Sequence, residues 1–277
     1  MTGDATTTRA AGSGPTDPDG VVEVSTDHEG AVVTLTINRP AKLNALTLPL
    51  LADLAAAVTA AEESHTARVL VIRTAGDRAF SVGADIKHFS TMSPVQMHRE
   101  WLRRGHRAYE VIEQSILPTV AVIDGPAFGG GLELALACDL RLVTTTARLG
   151  LPEVGLGTIP GWGGATRLPR LIGAARASDL VLTRRQLTGA ESVDWGICTR
   201  LAEPDGLDAA LADLIDQLLG GAPHAQAVAK QLIALAGSDV PPYLGESLGG
   251  ALTTTSQDFA EGVAAFTEKR SPTFRGE

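Results

Sequence analysis

The 277-residue sequence predicts an α/β fold, with a mixed core from about residue 21 to about 200 and a helical C-terminal part. Three observations carry this reading. Short β-branched runs of strand length recur through the first part of the chain. Ala- and Leu-rich stretches of helical period alternate with them, as in βαβ units. From about Gly173 onward the signal is helical, punctuated by Gly and Pro. With 44% hydrophobic residues the chain can bury a large core without disulfides or a structural metal.

Each element follows from its own residues. Segment 1–20 is rich in Gly, Ser, Thr, Pro and Asp and predicts a flexible tail. It has no apolar stretch of the kind a secretory signal needs. Val21–Val24 and Ala31–Ile37 flank Asp27-His28-Glu29-Gly30, a hairpin pattern, and Pro40 ends the second strand. Thr47 caps a helix that runs to about Glu63, with Pro49 in its first turn. Arg68–Arg73 and Pro118–Ile123 read as buried strands, and Met97 to about Ser115 as a helix. A glycine triplet, Gly129-Gly130-Gly131, leads into a helix, and Leu140–Val143 is a further strand. Helices follow over 174–183, Leu207–Leu219 and Pro223–Ala236.

Composition excludes several classes. A net charge of -9 repels phosphate backbones, and 4% aromatics is poor material for base stacking, so no nucleic acid is expected. No run of ~18 apolar residues occurs, so no membrane span is expected. Cys138 and Cys198 lack CxxC or Cys/His spacing, which argues against a disulfide framework or a zinc site and for a reduced, cytoplasmic setting. No HExxH, GxSxG, GxGxxG or P-loop pattern is present, and the six histidines sit in polar contexts.

The segment Asp124–Glu133 is the most informative. A strand runs through a glycine turn into a helix, whose first amide N–H groups have no internal partner and can receive an oxyanion. Glu133 stands in the first turn of that helix; on its own it is also a simple helix-dipole partner. Glu153, twenty residues on, is either a functional acid or an exposed loop carboxylate. Gly83-Ala84 offers a second amide, with Asp85 as a helix cap. Gly157–Gly164 forms a third glycine-rich turn.

Taken together these blocks resemble the enoyl-CoA hydratase/isomerase (crotonase) superfamily. The matching stretches are Asn38-Arg39-Pro40 with Asn44-Ala45-Leu46, then 79–87, 124–142, 151–173 and 266–274, in order along nearly the whole chain after the tail. The resemblance implies a crotonase-like spiral of ββα units, with 201–277 as a helical trimerisation region, and a homotrimer or dimer of trimers. It implies an acyl-CoA thioester substrate, with coenzyme A part of the substrate and no separate cofactor or metal. The thioester oxygen would sit between the amides of Ala84 and Gly130, beside Gly83 and Gly129. The two acids of the hydratase branch map to Glu133 and Glu153, the first mainly activating water and the second mainly protonating the α-carbon. Lys42, Leu43 and Ala45 would meet the phosphate and pantetheine arm, Asp85 and Ile86 would border the adenine, and Gly161 and Trp162 would line the acyl pocket. Phe266 and Lys269 would reach a neighbouring subunit's ligand. Val82, where the family often has Ala, would narrow the pocket. The alternatives are a Δ3-Δ2-enoyl-CoA isomerase, which needs one acid, and a non-catalytic acyl-CoA binding protein of the same fold.

Overall fold

A computed structural model describes residues 7–9, 19–236, 238–239 and 241–277. Among the described residues, ten strands form two sheets. The seven-stranded sheet holds, in spatial order, β1 (Thr7–Arg9), β2 (Val21–Asp27), β3 (Val32–Asn38), β4 (Val69–Thr74), β5 (Thr119–Ile123), β7 (Leu140–Thr144) and β10 (Arg200–Ala202). The three-stranded sheet holds β6 (Ala127–Phe128), β8 (Arg148–Gly150) and β9 (Leu187–Thr188). The helices are α1 (Leu48–Glu62), α2 (Ile86–Phe89), α3 (Pro94–Gln96), α4 (Arg103–Glu113), α5 (Gly130–Leu136), α6 (Gly164–Leu182), α7 (Gly189–Asp194), α8 (Leu207–Leu219), α9 (Pro223–Ala234), α10 (Pro242–Thr253) and α11 (Gln257–Glu268). A π-helical stretch, Met97–Leu102, joins α3 to α4.

The path is a spiral. β2 and β3 form the expected antiparallel hairpin, and from β3 onward the large sheet runs parallel through β4, β5, β7 and β10. After β3, β4, β5 and β7 the chain makes a short pairing in a second layer and then a helix. Leu46 follows β3 and pairs with Ala84, which follows β4; Ser81 pairs with Ala127, which follows β5; and β6 pairs with β8, which follows β7. The helices closing these turns are α1, the α2-to-α4 segment, α5 and α6. Repetition of strand, short pairing and helix stacks equivalent corners of successive turns above one another, and the pocket described below opens at those corners.

Local chemistry sets the element ends. Thr47 accepts a hydrogen bond from the Leu50 amide at 3.3 Å and caps α1. Asp85 caps α2 through the Lys87 amide at 3.1 Å, and Thr188 forms a capping box with Glu191 at the start of α7. The strands β4 and β5 are buried on both faces, hence their unbroken apolar runs. One face packs with Leu35, Leu54, Ile72, Tyr109 and Leu132 in the main core; the other, with Val32, Val71, Val120 and Leu142, is covered by Leu207, Leu211, Leu214 and Ile215 of α8.

Two expectations are corrected. Within the segment read as a tail, Thr7–Arg9 pairs antiparallel with Glu23–Ser25, since an edge strand leaves backbone groups open to a further partner; residues 1–6 and 10–18 of that reading lie outside the described residues. The boundary at 200 falls on the first residue of β10, and α8 belongs to the α/β core because it covers a sheet face. The helices beyond it, α9 to α11, have few buried side chains. No helix among the described residues is long and apolar enough to cross a membrane, and no group of three or more His, Cys, Asp or Glu among them could hold a metal ion.

Candidate active site

The first corner of the pocket is tied down by polar side chains near the end of β3. Asn44 adopts a left-handed conformation (φ 54°), which Asn tolerates better than most residues. Its Oδ1 accepts from the Arg39 amide, and its Nδ2 donates to the carbonyls of Ala75 and Ala79, all at 3.0 Å. Ser81 Oγ donates to the Asn44 carbonyl at 2.7 Å and accepts from the Gly83 amide at 3.1 Å. Leu46 donates to Gly83 and accepts from Asp85. These bonds use the amides on either side of Ala84, whose own N–H makes no turn, loop or cap bond among the described residues. Of the Gly83-Ala84 pair, Gly83 is therefore structural and Ala84 carries the open amide.

The second corner is the glycine turn. Gly129 takes φ 52° and ψ −126°, a backbone angle that L side chains rarely adopt, and a Cβ there would stand 3.0 Å from Glu153 Oε1. Gly130 opens α5, so its N–H has no partner inside the helix. A Cβ on Gly130 would fall 3.4 Å from the Ala84 nitrogen and 2.7 Å from Trp162 Cζ3. The two amides are thus neighbours, with the indole packed beneath them. Tyr109, fully buried, donates its hydroxyl to the Gly130 carbonyl at 2.7 Å.

Glu133 lies one turn into α5 and is 2% exposed. Its Oε1 accepts from the Trp162 and Gly164 amides at 2.8 and 2.7 Å. Burial raises its pKa; the two amide bonds and the charge of Arg167 oppose that rise. Glu153 heads a short 3₁₀ turn, Glu153–Leu156, after β8. Its Oε2 is buried with no hydrogen-bond partner. Burial, then the negative charge of Glu133, pushes its pKa up to about 7.

Both carboxylates line one pocket with Ala84, Gly129 and Gly130. Ile86, Gly161 and Trp162 line it too, and so does Val82. Lys42, Leu43, Ala45, Gly83, Asp85, Phe266 and Lys269 do not. Lys42 is exposed beside the first corner. The Leu43 carbonyl accepts from Val82, while Ala45 donates to Lys42 and accepts from Arg39. Asp85, besides capping α2, pairs with Arg39 at 2.8 Å, and that guanidinium counters its burial to hold its pKa low. Phe266 is 87% exposed, and Lys269 caps α11 in a left-handed conformation.

No motif in the sequence singles out Trp101, Leu102 and Met97 on the pocket wall, or Tyr109 and Arg167 behind it. Trp101 packs against Trp162 in a tilted arrangement with centroids 5.1 Å apart, and Tyr109 meets Trp162 edge-on at 5.6 Å. The π-helical stretch turns Trp101 inward; its one signal in the sequence is an aromatic set among the charges of 98–107. Arg167 gave no comparable signal, because Arg170, Arg176 and Asp179 share its helix.

Stacked ββα turns with paired amides and paired acids at their corners define a crotonase-type protein, and comparison with known proteins agrees. The sequence profile described as "Enoyl-CoA hydratase/isomerase" matches residues 27–277, and the chain belongs to that family. It is 33% identical over 253 residues to the crotonyl-CoA hydratase of Syntrophomonas wolfei, covering 90% of this chain and 96% of that one. It is 37% identical over 258 residues to the mitochondrial methylglutaconyl-CoA hydratase of Mus musculus, covering 91% and 82%. The crystal structure of enoyl-CoA hydratase from Bacillus anthracis superimposes with a TM-score of 0.85 at 35% identity, covering 92% of this chain and 99% of that one.

Proposed function

We propose that the protein is an enoyl-CoA hydratase, adding water across the 2,3-double bond of a trans-2-enoyl-CoA to give a 3-hydroxyacyl-CoA. The observation that carries this is two carboxylates of unequal environment in one pocket with two unpaired amides. Coenzyme A enters as part of the substrate and no separate cofactor has a part in the step.

In this reading the thioester oxygen lies between the Ala84 and Gly130 amides. Negative charge gathers on that oxygen as the enolate forms, and fixed donors in a dry site stabilise it, each worth about 3–4 kcal/mol in comparable enzymes. Glu133 keeps Oε1 on the two amides and offers Oε2 to water. As ionised base it takes one proton from water while the hydroxyl bonds to the β-carbon. Glu153, protonated up to about pH 7, delivers its proton to the α-carbon. The pair then carries one proton in the opposite arrangement and resets by exchange with solvent; dehydration reverses the roles.

The acyl group in this reading is apolar and uncharged. Apart from the two acids the pocket wall is mostly hydrophobic, including Phe89, Met97, Trp101 and Leu102, and has no Lys or Arg. A second carboxylate, as a methylglutaconyl group carries, would be desolvated beside two acids with no cation. Lys42, Leu43, Ala45, Asp85 and Ile86 border the CoA arm, and Phe266 and Lys269 complete the neighbouring subunit's site. A trimer or dimer of trimers fits the helical end, where Ile233, Leu248, Leu252 and Phe266 are 63–87% exposed in the single chain. A cytoplasmic setting is supported by two buried free thiols, of which Cys138 is pushed up to about 12 by burial.

The test is incubation with crotonyl-CoA. Loss of the conjugated-enoyl absorbance with formation of 3-hydroxybutyryl-CoA is expected. Conversion of a 3-enoyl-CoA with no hydration would replace this reading by the isomerase, and tight binding with no turnover across a chain-length panel would replace it by a binding protein. Light scattering should show a multiple of three chains; a monomer would remove the assembly.

A further inference from the structure

We propose that Arg167, braced by Glu113, is a positioning residue that holds Glu133 in its working orientation through the 162–164 turn. Arg167 starts one turn into α6 and is only 6% exposed. Its Nη1 donates to the Trp162 carbonyl at 2.7 Å, and its Nε and Nη2 both donate to Glu113 Oε2, at 3.1 and 2.6 Å. The Trp162 carbonyl belongs to the middle peptide of the turn. The peptides on either side supply the two N–H groups that grip Glu133 Oε1. Gly163, at φ 113°, makes these N–H groups converge, and a Cβ there would overlap Arg167. The guanidinium therefore fixes the clamp from behind while its charge favours the ionised carboxylate in front.

The groups facing Glu133 are Glu153 from the turn after β8, Tyr109 from α4 and Arg167 from α6. Tyr109 stays protonated, since burial and the Glu133 charge both raise it well above its ordinary value. Arg167 is then the positive charge in the set. Removing it frees the turn to shift and withdraws that charge.

The catalytic consequence rests on the hydratase reading, so the experiment has one arm that does not. With wild type, Arg167→Met, Arg167→Lys and Glu113→Gln, crotonyl-CoA kinetics are measured across pH, and the Glu133 carboxyl is titrated by carbon-13 NMR in free protein, assigned with Glu133→Gln. Arg167→Met should lower kcat about 10–100-fold, as for a displaced catalytic group, with KM within about threefold. The acid limb of kcat/KM and the NMR titration of Glu133 should both move to higher pH. Arg167→Lys should restore part of the loss, and Glu113→Gln should show a smaller shift of the same sign. An unmoved Glu133 titration, or a loss confined to KM, would overturn the inference. If Arg167→Met does not fold, Arg167→Lys and Glu113→Gln decide on the same terms. A wild type that hydrates nothing would sink the hydratase reading alone, because the NMR arm still reads the positioning.

Discussion

The two acidic corners of the pocket are built in opposite ways. Glu133 rides a helix, is almost sealed from water, and has one oxygen gripped by two backbone amides. Glu153 rides a single 3₁₀ turn, is half-buried, and has one buried oxygen with no partner. Burial raises both. At Glu133 donors and Arg167 oppose it; at Glu153 the charge of Glu133 reinforces it. Identical side chains therefore acquire different tasks from their surroundings, one an oriented acceptor and the other a proton holder near neutral pH.

The strongest test of that division removes either acid. Glu133→Gln and Glu153→Gln should each lower kcat by ~10²-fold or more, and the double variant should fall far short of the product because the pair acts as a unit. Near-wild-type turnover by either single variant would dissolve the pairing.

The pH profile sharpens the comparison next. One proton shared by the pair gives a bell, and the same bell in both directions because hydration releases no net proton. The upper limb belongs near pH 7, from Glu153. Beyond it kcat/KM should drop about tenfold per pH unit. A flat profile from pH 7 to 9 would mean that Glu153 does not need its proton.

The smallest effect is on stability. The folded pKa of Glu153, about 7, lies above its ordinary value of 4.5. Between those values the folded chain keeps a proton that the unfolded chain has shed, so this group's contribution falls as pH rises through the window. Glu153→Gln should then melt about 2–4 °C above wild type at pH 8, as about 1 kcal/mol does in a chain of this size, with the gap closing toward pH 5. Scanning calorimetry at both pH values reads the difference. A variant that melts lower at pH 8 would show Glu153 to be stabilising.

Much of this was legible in residue order. The β2–β3 hairpin, the Thr47 cap, the strand–glycine–helix sequence around Gly130 and the acid in the first turn of α5 all follow from neighbours a few positions apart. Placing Ala84, Glu133 and Glu153 in one pocket needed the resemblance to a known family, since no local pattern spans 84 to 153. Asn44 and Tyr109 passed unnoticed in their roles because each acts on a backbone group far along the chain, Ala79 and Gly130, and Arg167 because its hold on Trp162, five residues back, depends on the geometry of the turn between them.

By itself, then, the order of residues determined the elements, their caps and the glycines that allow tight corners. These depend on backbone angles and side-chain periods set within one or two turns of chain. Only the tertiary structure decided which amides stay unpaired, which oxygen of which glutamate is clamped, and that α8 covers the sheet while α9 to α11 leave apolar side chains in solvent. Those outcomes hang on how successive ββα turns stack, and stacking brings together groups whose separation in sequence says nothing of their distance in space.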